Sequence, residues 1–189
     1  MDKQEILDEI RNSPFSLPCS HSSDVHLKRL LKSILGFTND GEDENIEDVF
    51  KAVPSFQRDN DKWTVEMQHD FIKNIIKGLR TTIMLYEVNE DASKYNLLTN
   101  CYILDGLQRI TAIYAFITGK FTVFGKTYQE MLDESIISAT SMPITLKIFS
   151  FPNESEVIKF YISMNKGMTH SNEDIKKAKD ILDAIDANK

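Results

Sequence analysis

The chain reads as an α+β fold, a small mixed sheet surrounded by helices. Three observations predict it. Short apolar runs bounded by turn residues stand at 83–88, 100–104 and 144–149 and read as strands. Between and around them, apolar residues recur at helical spacing. Finally, 189 residues that are 41% hydrophobic, with 11 Phe, suffice to bury a core as one domain with appended terminal segments. There are no repeats or low-complexity tracts.

Taken in order, residues 3–11 predict a short amphipathic helix, followed by a loop through Pro14 and Pro18. Ser23 or Asp24 can cap a helix from Val25 to Leu35, with Leu27, Leu30, Leu31 and Ile34 on one face, and Gly36 is expected to end it. The acids Asp40, Glu42, Asp43, Glu44, Glu47 and Asp48 form a solvated loop with the start of a short helix. The same cluster can also be read as a DNA-like acidic surface that repels nucleic acid or fills a partner's basic groove. Trp63, Met67, Phe71 and Ile75 predict a helix capped by Thr64 and stopped by Gly78. The strands at 83–88 and 100–104 are joined by a polar loop, and the second leads into a helix bearing Ile110, Ile113, Tyr114 and Ile117. After the strand at 144–149, Pro152 and Asn153 lead to a helix with Val157, Phe160 and Tyr161, and residues 173–185 form the last one.

Composition narrows the function classes. A net charge of −7 argues against indiscriminate nucleic-acid binding, although Lys166, Lys176, Lys177 and Lys179 make one locally basic tract. No apolar run approaches the ~20 residues of a membrane helix, and the polar N-terminus lacks a signal-peptide pattern, so the expected location is the cytoplasm, away from membranes. Cys19 and Cys101 are expected to be idle or buried thiols rather than a disulfide. His21, His26, His69 and His170 lack the companions of a zinc site. P-loop, dinucleotide and serine-hydrolase motifs are absent.

The most informative element is Asp105-Gly106-Leu107-Gln108-Arg109, lying between a buried strand and a helix. Such a turn presents backbone N–H groups and a helix N-terminus, which favour an anion. Arg109 adds a guanidinium fork, and Asp105 can hold a metal ion or accept a proton. The plainer alternative is that Asp105 N-caps the helix, Gly106 supplies the turn and Arg109 pairs with a surface carboxylate. Phe56 and Trp63 can stack a base, but aromatic residues at loop ends are more often core. Arg58 can equally pair with Asp59 or Asp61.

Three motifs in order resemble one family: Pro54-Ser55-Phe56-Gln57-Arg58 with Trp63, then Leu104-Asp105-Gly106-Leu107-Gln108-Arg109-Ile110-Thr111, then Tyr161-Ile162-Ser163-Met164-Asn165-Lys166-Gly167. Together they resemble the N-terminal domain of GmrSD-type modification-dependent restriction enzymes, with the D-G-x-Q-R element the most specific part. The resemblance implies a ParB/sulfiredoxin-like fold over residues 50–189, preceded by an N-terminal helical segment with an acidic loop at 1–49. It further implies binding and hydrolysis of a nucleoside triphosphate, with Mg²⁺. Asp105, Gln108 and Arg109 would then be the catalytic residues, with Asp105 also the metal ligand, and Gln57, Arg58, Gly106, Asn165 and Lys166 would bind the nucleotide.

Leu107 departs from the family's D-G-Q-Q-R, removing an amide that can orient a water, which favours binding over fast hydrolysis. A metal-nuclease motif does not follow Gly167, so the chain alone is not expected to cut DNA. Two function classes remain: a nucleotide-binding enzyme, an Mg²⁺-dependent NTPase or phosphotransferase, linked to DNA restriction or phage–host conflict, and a non-catalytic module that docks or antagonises a nuclease, a defence complex or DNA.

Overall fold

The computed structural model describes residues 2–11, 19–38, 45–57, 62–89, 101–138, 141–166 and 172–187. It is a mixed α+β structure. The elements run α1 (Lys3–Arg11), β1 (Cys19–His26), α2 (Leu27–Thr38), a 3-10 helix (Ile46–Ala52), α3 (Val65–Ile76), β2 (Thr82–Val88), β3 (Tyr102–Asp105), α4 (Leu107–Ile117), α5 (Tyr128–Asp133), β4 (Pro143–Phe151), α6 (Glu154–Asn165) and α7 (Asn172–Ala187). The sheet order is β1-β4-β2-β3. Its centre, β2 against β4, is parallel, while β1 and β3 pair antiparallel on the two edges.

Alternation along the strands splits the core across the sheet. Ile83, Leu85, Ile103, Ile144, Leu146 and Ile148 face one way and pack with α2, the 3-10 helix, α3, α4 and α5. Tyr86, Leu104, Phe149 and Phe151 face the other way, where α6 and α7 cover them together with Phe56.

The strands read from the apolar runs are present, as are α3, α4, α6 and α7. Thr64 caps α3, its hydroxyl accepting from Met67 N–H at 3.3 Å. Gly78 stops that helix at φ +102°. There the Gly78 N–H reaches the Ile75 carbonyl at 3.0 Å and the Leu79 N–H reaches Asn74 at 2.8 Å, the paired bonds of a Schellman motif.

α1 lies where residues 3–11 predict it, but the stretch from Cys19 to Thr38 differs from expectation. Ser23, Asp24 and Val25 do not begin a helix; they pair with Leu146, Thr145 and Ile144 in strand β1, and the helix starts at Leu27. β1 is a polar edge strand whose residues alternate between partial burial and exposure, held by its ladder and by Ser20 Oγ donating to Ile148 O and Thr145 Oγ1 to Asp24 Oδ1, each at 2.8 Å. Gly36 does not end α2 either. The helix continues to Thr38, because Leu35 and Phe37 still pack on the core and Gly36 faces solvent. From this stretch, β1 joins the same sheet and α2 the same core as the later elements. The loop through Pro14 and Pro18, Asp40 to Glu44, and most of the polar loop before β3 lie outside the described residues.

Candidate functional site

β3 ends at Asp105, the chain reverses at Gly106, and α4 begins at Leu107. Gly106 is the N-cap, at φ +109°, and no side chain caps the helix. The turn is pressed against β2: a Cβ on Gly106 would lie 3.1 Å from Ile83 Cγ1. Glycine is therefore needed twice here, for its backbone angle and for space. What results is an eleven-residue helix that no side chain among the described residues caps.

Of the plainer alternatives, Gly106 does supply the turn, but Asp105 is not the cap. It pairs instead with Arg109, one helical turn later. The guanidinium folds back over the turn: Nη2 donates to Asp105 Oδ2, and Nη1 donates to Thr82 O and, at 3.4 Å, to Thr81 Oγ1. Arg109 thus ties α4 to the start of β2. The ion pair also cancels charge locally, so attraction for an anion falls to the helix N-terminus and the remaining guanidinium N–H groups.

Around this turn lies a cleft of about 290 Å³, lined by Gln57, Trp63, Met84, Asp105, Gly106, Leu107, Gln108, Arg109, Tyr161, Met164 and Asn165. That is the small end of the roughly 300–1,000 Å³ range of small-molecule sites. Gln57 is 5% exposed; its Nε2 donates to Leu104 O at 3.1 Å and Ile103 O at 3.3 Å. Its backbone carbonyl accepts from Lys177 Nζ at 3.1 Å, pinning the loop to α7. Gln108 is 7% exposed, and its Oε1 accepts from the Trp63 N–H at 3.3 Å. Gln57 Oε1 and Gln108 Nε2 are both buried without a hydrogen-bond partner among the described residues. Asn165, at the end of α6, donates from Nδ2 to Tyr161 O at 2.7 Å.

The structure brings together six of the residues expected from sequence: Gln57, Asp105, Gly106, Gln108, Arg109 and Asn165. Lys166 is exposed at the C-cap of α6 and does not line the cleft. Arg58 lies outside the described residues. Phe56 belongs to the core, fully buried against Tyr161 at 5.3 Å between ring centres. Trp63 does line the cleft, edge-on to Phe71.

Met84, Met164 and the anchors Thr81, Thr82 and Lys177 were not foreseen. An isolated methionine, threonine or surface lysine carries no sequence signal for such a role, whereas Tyr161 was at least marked by its motif. Among the described residues no group of three or more His, Cys, Asp or Glu could hold a metal ion. With Oδ2 taken by Arg109, Asp105 Oδ1 is the carboxylate oxygen that the cleft's described residues can offer. A single carboxylate with the rest supplied by phosphates and water is an ordinary arrangement for Mg²⁺. Both cysteines are free, and burial pushes the Cys101 thiol up to about 12. No helix among the described residues is long and apolar enough to cross a membrane.

Comparison with known proteins places this geometry in a family. The model described as GmrSD restriction endonuclease, N-terminal domain, matches residues 32–187, which take in α3 to α7, β2 to β4 and every residue of the cleft. Neither a curated protein nor a solved structure matches the chain. With most of its length matched, and with the motif turn, the flanking amides and the α6 asparagine around one cleft, the chain belongs to the GmrSD restriction endonuclease N-terminal domain family, which ties it to restriction and defence.

Proposed function

We propose that the cleft binds a nucleoside triphosphate together with Mg²⁺, in a ParB/sulfiredoxin-like domain that acts in the cytoplasm in DNA restriction or phage–host conflict. One observation carries this reading: a helix N-terminus without a side-chain cap, a carboxylate–guanidinium pair and two buried glutamines, each with an amide atom unpartnered among the described residues, line a single cleft with aromatic walls. The α4 N–H groups and the remaining Arg109 N–H groups receive phosphate oxygens. Asp105 holds the Mg²⁺, which when bound offsets the triphosphate charge that the paired Asp105 and Arg109 leave uncountered. Gln57, Gln108 and Asn165 line the rest of the bound molecule's surroundings. Leu107, 7% exposed, packs into the core cluster and offers no hydrogen bond to a water, so binding is favoured over rapid turnover.

A second reading has one observation of its own. Arg109 is already tied to Thr82, Thr81 and Asp105, which suits a structural turn in a non-catalytic module that docks a nuclease, a defence complex or DNA. The two part company on mutation. In the nucleotide-binding reading, Asp105→Ala and Arg109→Ala each weaken triphosphate affinity by about tenfold or more, with the far-ultraviolet spectrum unchanged. Wild-type affinity in both folded variants would refute the site assignment.

A further inference from the structure

Gln57 and Gln108, two buried side chains that line the cleft, each keep one amide atom without a partner among the described residues; the two atoms are of opposite kind, and their orientation is fixed. Gln57 Nε2 is committed to two backbone carbonyls, which leaves Oε1, an acceptor, facing no protein donor. Gln108 Oε1 is committed to the Trp63 N–H, which leaves Nε2, a donor, facing no acceptor. Flipping either amide would set like against like, so neither can exchange roles. Buried polar atoms this enclosed are normally satisfied. His26, His69 and Tyr128 also carry such atoms, but none of them lines the cleft.

The acceptor is the informative one. Phosphate oxygens at neutral pH are themselves acceptors, so Gln57 Oε1 cannot be a direct phosphate contact; its partner must bring an N–H or O–H. The donor beside Trp63 requires an acceptor. A nucleobase presents both on one edge, and its flat faces suit the walls formed by Trp63, Tyr161, Met84 and Met164. We propose that Gln57 and Gln108 together read the hydrogen-bonding edge of a nucleobase, so that the cleft selects its nucleotide by base and does not accept any polyphosphate. This rests on the nucleotide reading above, but assigns Gln57 to the base and leaves phosphates to the α4 N-terminus.

The test is calorimetry on the full chain with Mg²⁺, using ATP, GTP, CTP, UTP and inorganic tripolyphosphate. The triphosphate bound most tightly is then compared with its analogue methylated on the base N–H, and with its 2′-deoxy form. The expected results are preference for one base, loss of about tenfold on base methylation, and little loss in the deoxy form. Gln57→Met should weaken that triphosphate by a similar factor and leave tripolyphosphate binding unchanged. The wild-type comparison stands even if that variant fails to fold. Equal binding of the methylated analogue, a loss confined to the deoxy form, or tripolyphosphate binding as tight as any nucleotide would overturn the proposal. If no phosphate compound binds, the nucleotide reading fails separately. Ligand-observed NMR with the four nucleosides at millimolar concentration then decides: a bound nucleoside sustains the base-reading pair, and none overturns it.

Discussion

Gly106→Ala tests whether the β3–α4 turn holds the conformation on which the site depends. At φ +109° an alanine sits where side chains are rarely tolerated, a strain of about 1–3 kcal/mol. Its Cβ would also meet Ile83 Cγ1 at 3.1 Å and the Ile83 Cα at 3.5 Å. Ile83 is fully buried on a central strand, so it has little room to retreat, and such overpacking adds about 1 kcal/mol or more. The expected loss is roughly 2–4 kcal/mol, or a fall in Tm of about 5–12 °C for a chain of this size. Gly78→Ala is the internal control. Its φ is +102°, yet nothing lies within 4 Å of the added Cβ, so only the backbone strain applies. Urea denaturation with matched slopes measures both, and Gly106→Ala should exceed Gly78→Ala by at least about 1 kcal/mol. Equal losses, or a loss at Gly106 below about 0.5 kcal/mol, would show that the turn does not press on β2 as described.

Other predictions follow from single contacts. Arg109→Ala should lower stability by about 1–3 kcal/mol, since Thr82 O and Asp105 both lose a donor, and Arg109→Lys should recover only part because one ammonium cannot span both; urea midpoints of the three proteins check this. Cys101, pushed up to about 12 by burial and by Glu87, is about 10⁻⁴ thiolate at pH 8, so a thiol reagent should label it only as fast as the native state opens; fast labelling assigned to Cys101 by mass spectrometry contradicts its burial. The capping box of α5 should be pH-sensitive. The Thr127 backbone N–H and hydroxyl hold the Glu130 carboxyl below its ordinary value, so its stabilisation is present at neutral pH and is lost as pH falls through the folded value. Thr127→Ala should therefore destabilise the protein more at pH 7 than at a pH below the folded value of the Glu130 carboxyl, read from denaturation at the two pH values.

How much of this was legible in the sequence depended on where burial left a pattern. β2, β3 and β4 sit inside the sheet or against the core and are apolar runs; α3 announces both ends, through Thr64 and Gly78. β1 was hidden because an edge strand held by its ladder needs no alternation of apolar residues, and Cys19-Ser20-His21-Ser22-Ser23-Asp24 offers none. Gly36 misled because a solvent-facing glycine in a helix loses little when the residues around it, Leu35 and Phe37, are still buried. At the site, the D-G-x-Q-R turn was legible because several chemistry-bearing residues share one loop. The tie from Arg109 to Thr82, the Gln57 amide pinned under β3, and the pairing of Gln108 with Trp63 are contacts across 27 to 47 residues of chain, which local sequence does not encode.

The central claim is that this cleft takes a nucleoside triphosphate with Mg²⁺, and the most direct test is calorimetric titration of the wild-type protein with each of the four triphosphates, with and without Mg²⁺. Saturable one-to-one binding of at least one triphosphate is expected, weakening markedly when the metal is withheld, because Asp105 and Arg109 neutralise each other and leave the phosphate charge uncountered. No saturable heat with any triphosphate at millimolar concentration, with Mg²⁺ present, would contradict it.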